Sequence, residues 1–315
     1  MCGIFGWLGS EVNPELASNL LDSLKYRGPD DRGEWFNPID NVYIGQRRLT
    51  IIDNTKTGQQ PMISKCGRYI LSYNGEIYNY KELRNFLEKE NLKFSGSSDT
   101  EVLLNSIIYW DISNALKKLD GMFAFALFDR KKRLLTIARD FMGIKPIFYI
   151  HKGYNFAFSS EIRQLKELPF CERSLDSNSV HDYFKNGYIS GEKTIYKEIK
   201  SLPSGEYLQF KDDSIIQKKY WDLAKEAKFY NNKSNFKSIN EAAEDLEKSL
   251  LKSVKLHMQS DVPYGAFLSG GIDSALIVSL MQKLSNNPIK TFTIGFKEKS
   301  HDESVYAKKI SNYLK

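Results

Sequence analysis

The chain has 315 residues, 45 of them basic against 39 acidic for a formal charge of +6, and 41% are hydrophobic, which leaves room for two globular domains. The basic residues are scattered in short runs such as Lys117-Lys118 and Lys131-Lys132-Arg133, so no dense stripe argues for nucleic acid. No apolar run approaches the ~18 residues of a membrane span and no signal peptide is recognisable, while Cys2, Cys66 and Cys171 lie too far apart for a zinc site or a disulfide framework; a cytoplasmic protein that does not enter the membrane is expected.

The chain opens Met1-Cys2-Gly3. A small second residue permits removal of the initiator methionine, and Cys2 would then carry both a thiol and a free α-amine. The amine titrates at roughly 7.7–8.0 and can serve as the base for the sulfur. Ile4 to Leu8 reads as a short buried strand that sets this terminus inside a fold. Asn13-Pro14 predicts a capped helix with Leu16, Leu20, Leu21 and Leu24 on one face, stopped by the Arg27-Gly28-Pro29-Asp30 turn. Val42 to Gln46 is a strand leading into Arg47 to Asp53, and the arginine pair reads most simply as an edge-strand charge. Tyr69 to Tyr73 is another strand. The Asn74-Gly75 that follows is first a hairpin turn, and second a side-chain amide beside a glycine N–H, the makings of an oxyanion hole.

Asn79 with Glu82 suggests a capping box for a helix with Leu83, Phe86 and Leu87 buried. Ser97 to Glu101 opens a further helix, with Asp99 as N-cap or first-turn carboxylate. Met122 to Phe128 and Arg133 to Ala138 predict a hairpin; Arg139 to Pro146 is a turn-rich connection to strands at 147–149 and 154–159. Helices first and sheet later suggest an α+β layered domain over residues 2–208. Residues 209–239 read as a linker, polar from Lys225 to Ser238. A second domain, 240–315, begins with a helix from Asn240 to Met258. It continues with a strand ending at Leu268, the loop Ser269-Gly270-Gly271-Ile272-Asp273-Ser274, a helix from Ala275, a strand from Thr291 to Gly295 and a helix from His301. Strand, glycine loop and helix together suit phosphate binding at a helix N-terminus.

These segments carry a resemblance. Cys2-Gly3-Ile4-Phe5-Gly6, Arg27-Gly28-Pro29-Asp30, Arg48-Leu49-Thr50-Ile51, Asn74 to Asn79, Ser98 to Glu101 and Gly121 to Ala126 resemble, in order, the glutaminase domain of glutamine-dependent asparagine synthetases, which are class II, N-terminal-nucleophile amidotransferases. The Ser269–Ser274 loop resembles the pyrophosphate loop of ATP pyrophosphatases. The resemblance implies an αββα sandwich followed by the start of an α/β parallel-sheet, adenine-nucleotide-binding domain. It implies that Cys2 attacks glutamine, that Asn74 and Gly75 stabilise the oxyanion, and that Arg48 and Asp99 hold the α-carboxylate and α-ammonium. Leu49, Thr50, Ile51, Ile52 and Glu76 join that glutamine site. It places ATP at Leu268, Ser269, Gly270, Gly271, Asp273, Ser274 and Ile294, with Mg²⁺ mainly on the phosphates and Asp273 a neighbour.

Glutamine, aspartate and ATP are the implied partners, and ammonia attacking β-aspartyl-AMP is the implied synthetic step. Alternatives are an amidotransferase for a sugar or antibiotic-precursor acceptor, or a fragment with glutaminase activity alone. The resemblance stops at Lys315, inside the synthetase domain, so a truncated second domain is expected. Oligomeric state has no handle in the sequence, a homodimer being one option.

Overall fold

The computed structural model describes residues 1–10, 12–231 and 236–314. The chain divides into two compact units, Met1–Glu226 and Ala227–Lys315. In chain order the strands of the first unit are β1 (Gly3–Leu8), β2 (Asp31–Asn37), β3 (Val42–Arg48), β4 (Met62–Ile63), β5 (Tyr69–Ile77), β6 (Gly121–Asp129), β7 (Leu134–Arg139), β8 (Phe148–Lys152), β9 (Asn155–Ser159), β10 (Ile199–Ser201), β11 (Glu206–Lys211) and β12 (Ser214–Lys219). Its helices are α1 (Pro14–Asp22), α2 (Tyr80–Lys89), α3 (Asp99–Leu116), α4 (Ile162–Lys166) and α5 (Ser177–Asn186), and α6 (Leu223–Asn231) spans the division.

The strands form two six-stranded sheets, ordered β10-β8-β9-β1-β3-β2 and β12-β11-β7-β6-β5-β4. Every pairing in them is antiparallel. Alternation along each strand sends side chains to two different cores. Ile4 and Leu8 join Ile44, Ala124, Ala126 and Phe128 between the sheets, while Phe5 and Trp7 face Ala17, Leu20 and Leu21 of α1. Phe123, Phe125 and Leu127 turn the other way, onto Leu83 and Leu87 of α2 and Val102 and Leu103 of α3. The layers are therefore helix, sheet, sheet, helix, the αββα sandwich expected. Strands covered on both faces read as unbroken apolar runs, which is why β1 and β6 are the plainest in the sequence.

Several local expectations change. Arg47-Arg48 lies on no edge: β3 runs between β1 and β2, and both arginines are buried because their guanidinium groups find partners. Asn74-Gly75 is no hairpin turn but the interior of β5, paired to Ala124 and Phe123 of β6. Asn79 does not cap α2. Its side chain instead accepts from Asp120 N–H and donates to Lys118 O, at 3.0 and 2.8 Å, tying the start of α2 to the end of α3. The expected 209–239 connection starts too early, since residues 209–211 finish β11 and 214–219 form β12. The turn between them uses Asp212 and Asp213, both left-handed with φ of 46° and 62°, in place of the Asn-Gly that would have signalled it. Residues 232–235 of that stretch, and Lys315, lie outside the described residues.

The second unit holds α7 (Ile239–His257), β13 (Ala266–Phe267), α8 (Ile272–Leu284), β14 (Thr291–Phe292) and α9 (Ser304–Leu314). As expected, β13 and β14 pair in parallel. Two small clusters hold it, one of Val254, Leu280 and Met281, the other of Leu268, Val278 and Ala307.

Candidate active site

At the ends of β1, β3 and β5 the first unit encloses a cavity of about 190 Å³. Cys2, Arg48, Leu49, Ile51, Ile52, Asn74, Gly75, Glu76 and Asp99 all line it. Thr50 does not; its N–H is taken by Asp30 Oδ2 at 2.8 Å.

Cys2 sits just before β1, and its position is fixed by groups far along the chain. Leu49 N–H donates to Sγ at 3.4 Å, and the thiol donates to Leu49 O at 3.7 Å. Arg27 Nε donates to Cys2 O at 3.0 Å while its Nη1 pairs with Glu161 at 3.0 Å. The Arg27–Asp30 turn thus does more than end α1. Arg27 anchors the nucleophile, Asp30 holds the stretch after Arg48, and Gly28 lies so close to β3 that a Cβ would come within 2.2 Å of the Arg47 backbone. Burial pushes the Cys2 thiol up. The Leu49 N–H, the chain's α-amine, Arg48 and Lys145 pull the other way. Burial also lowers the α-amine, here carried by Met1 at the cavity's edge.

Arg48 ends β3 with Nη2 donating to Ile52 O and Asp53 O, both at 2.8 Å, which aims a buried guanidinium along the cavity wall. Asp99 opens α3, capped by Ser98, whose Oγ accepts from Glu101 N–H at 3.2 Å. Asp99 is 4% exposed, and its Oδ2 accepts from Tyr73 OH at 2.8 Å and Ile77 N–H at 3.0 Å. Burial raises its pKa, and those donors work against the rise. Glu76, also in the wall, is raised to about 7, by burial first and by Asp99 second. Asn74 is the telling residue. It is 1% exposed, and its Nδ2 has no hydrogen-bond partner among the described residues, an orphaned donor at a cavity wall. Beside it, Gly75 is required by the sheet, since a Cβ would lie 2.2 Å from Met122 O on β6.

Sequence reasoning missed Tyr73, Gln60 and Lys145. Tyr73 positions Asp99; Gln60 accepts from Tyr73 N–H at 2.7 Å and donates to Thr100 Oγ1 at 3.0 Å, bracing the same wall. Lys145 lines the cavity from the loop after β7. None has a local signature, because each works through partners 13 or more residues away, or through the cavity itself.

Residues 1–221 match the family model for the glutamine amidotransferase domain. The chain belongs to the glutamine amidotransferase family. Residues 245–315 match a second model, asparagine synthase. The chain is 37% identical to a putative glutamine-hydrolysing asparagine synthetase of Methanocaldococcus jannaschii, covering all of this chain and 63% of that protein. It is 33% identical to asparagine synthetase 3 of Bacillus subtilis, over 95% of this chain and 48% of the relative. An "Amidase chry2" of Gibberella zeae is 31% identical over all of this chain and 50% of its own length. The chain therefore spans about half to two thirds of the curated relatives it matches. Among solved structures, the B. subtilis glutamine phosphoribosylpyrophosphate amidotransferase superposes with a TM-score of 0.52 at 21% identity, over 70% of this chain and 49% of that one. The αββα amidotransferase sandwich is common to both.

In the second unit of this amidotransferase, the Ser269–Ser274 loop is knotted by its own hydroxyls. Ser274 Oγ accepts from Ser269 N–H at 3.1 Å and lies 2.8 Å from Ser269 Oγ, which accepts from Gly271 N–H at 3.2 Å. Gly270 N–H donates to the Glu303 carboxylate at 3.2 Å, so the loop already presents an amide to an anion. Leu268 is buried among Val278 and Ala307, whereas Ile294 is 71% exposed. Among the described residues no group of three or more His, Cys, Asp or Glu could hold a metal ion, and no helix is long and apolar enough to cross a membrane.

Proposed function

We propose that the first unit hydrolyses glutamine at Cys2 and that the whole protein uses the ammonia to make asparagine. The observation that carries the first half is the unpartnered Asn74 amide, buried in the same cavity wall as the Cys2 thiol, with Arg48 and Asp99 beside it. Glutamine is a zwitterion ending in a side-chain amide, and such a molecule needs one cation, one anion, a nucleophile and an oxyanion donor. Arg48 would fork the α-carboxylate and Asp99 the α-ammonium. Leu49, Ile51, Ile52 and Glu76 complete this proposed site, while Thr50, outside the cavity with its N–H on Asp30, supports the stretch from behind.

Loss of Met1 would leave the α-amine on Cys2 itself. The sulfur then attacks the amide carbon, forming the C–S bond as the carbonyl electron pair moves to oxygen, where Asn74 Nδ2 and Gly75 N–H donate. The amine passes the thiol proton to the departing nitrogen, the C–N bond breaks and ammonia leaves. Water then cleaves the thioester, giving glutamate and restoring the thiol.

For the second half, ATP would meet Ser269, Gly270, Gly271, Asp273 and Ser274 with Leu268 and Ile294 alongside. Aspartate would be activated as β-aspartyl-AMP with release of pyrophosphate, and ammonia would displace AMP. Mg²⁺, when bound, would offset phosphate charge, with Asp273 the neighbouring carboxylate that could share it. The amidase-named relative keeps a second reading open, with an acceptor other than aspartate. We assign the protein to the cytoplasm, on its three free cysteines. Glutamate release from glutamine, abolished in Cys2→Ala and in Arg48→Ala, together with an intact mass lacking Met1, tests the first half; full rate in Cys2→Ala would overturn it.

A further inference from the structure

The cavity is lined by two cationic side chains besides the α-amine, and the function proposed above uses only one of them. Arg48 is spent on Ile52 and Asp53 carbonyls and on the proposed substrate carboxylate. Arg27, nearby, is spent on Cys2 O and Glu161. Lys145 lines the cavity, is 6% exposed, and its ammonium has no hydrogen bond or ion pair among the described residues. Burial lowers this ammonium from its ordinary range, Glu76 and Cys2 work against the fall, and a charged group on a buried side chain with no direct ion pair is rarely kept for packing alone.

The backbone around it is held with unusual force. Asp140, fully buried, takes four N–H donors: Phe123 at 3.1 Å, Met142 at 3.0 Å, Ile144 at 2.9 Å and Lys145 at 3.0 Å. Arg139 Nε donates to Lys145 O at 2.9 Å. Phe123 is the residue paired to Gly75, so the same carboxylate that places Lys145 is bonded to the strand facing Asn74 and Gly75.

We propose that Lys145 is a positioning residue of this site, a cation whose field stabilises the negative charge that the Cys2 sulfur takes up when its proton is removed. The inference rests on the Cys2 reading and deepens it. The charged groups around Lys145 are Glu76 from β5, Cys2, Arg27 and Asp140; around Cys2 they are the α-amine, Arg48 and Lys145. Glu76 and the sulfur are the anions the ammonium can serve, and Glu76 is itself held partly protonated near neutrality. The sulfur is the group whose charge the reaction needs. Burial drives the thiol toward its neutral form; the α-amine, Arg48 and Lys145 oppose that, and of the two side chains Lys145 is the one with no direct hydrogen bond or ion pair among the described residues.

The test uses the full chain without glutamine. Iodoacetamide alkylation of Cys2 is followed from about pH 6 to about pH 10, with peptide mass spectrometry separating Cys2 from Cys66 and Cys171. Lys145→Met is expected to move the alkylation midpoint up by about one unit and to slow alkylation near neutral pH about tenfold, whereas Lys145→Arg keeps the wild-type midpoint. Glutamate release should fall in Lys145→Met and return in Lys145→Arg. If Lys145→Met does not fold, Lys145→Gln replaces it. An unchanged midpoint in the neutral variant overturns the proposal even when the wild type hydrolyses glutamine. A shifted midpoint in a protein that releases no glutamate sustains the effect on the thiol and overturns the glutaminase reading instead.

Discussion

Asn74 carries a donor that nothing among the described residues satisfies, and leaving a buried amide unpaired has a cost of about 1–3 kcal/mol. A transition-state oxyanion would repay that cost at the moment of reaction. Asn74→Ala should therefore lower kcat for glutamine hydrolysis about 10²–10³-fold with little change in KM, measured by glutamate release. Loss confined to KM would mean that the amide binds the ground state. Glu76 gives a second test at this scale. Its carboxyl lies above its ordinary 4.5, at about 7, so its contribution to stability is full below 4.5 and is lost as pH rises through 7. The stability difference between wild type and Glu76→Gln, from denaturant midpoints, should shift against the wild type across that window; a constant difference would contradict it. Cys2, Arg48 and Asp99 were legible because each sits in a local run with a family counterpart. Tyr73, Gln60 and Lys145 were not, since their roles arise only when β5, the residues before β4 and the loop after β7 meet at one cavity.

At the scale of elements, the sequence was read best where burial is two-sided and worst where polar residues sit inside strands. Asn74-Gly75 carries a strong hairpin signal, yet the long ladder to β6 overrides it: nine residue pairs from Tyr69–Asp129 to Ile77–Gly121 run straight through the dipeptide. Strand β12 reads as linker in the sequence because its Ser-Ile-Ile-Gln-Lys-Lys is mostly exposed and edge-placed. The stretch from Asp140 to Lys145 reads as a turn, but nothing local marks Asp140 as its organiser. Asp140→Ala would strand four N–H groups, three of them on the loop itself, and should cost on the order of 3–5 kcal/mol by denaturant titration. Asp140→Asn, able to accept at only one oxygen, should recover part of it.

At the scale of the molecule the two units differ in kind. The first has three interlocking cores; the second has two small clusters on a two-stranded sheet, with Phe267, Ile272 and Ile294 each more than two-thirds exposed. Backbone amides of β13, α8 and β14 should therefore exchange hydrogen faster than those of β1, β5 and β6 by orders of magnitude. Equal protection would show that the second unit is stabilised by something its small clusters do not supply. The division into a layered first unit and a parallel second one was legible from the shift between helix-and-hairpin patterning and the strand–loop–helix motif. Its position was not, since the Asp212-Asp213 turn lacks a glycine.

The two sheets meet near the cavity through polar bonds as well as oil: Ser72 Oγ donates to Gly45 O at 3.1 Å and Gln46 Nε2 to Tyr73 O at 2.5 Å. Arg48 belongs to one sheet and Asn74 to the other. These two bonds thus act like a dowel across a joint, keeping grip and blade in fixed register. Were it pulled, the leaves would creep past one another by fractions of an ångström, and the proposed glutamine site would still grip its ligand while losing the alignment needed to cut it.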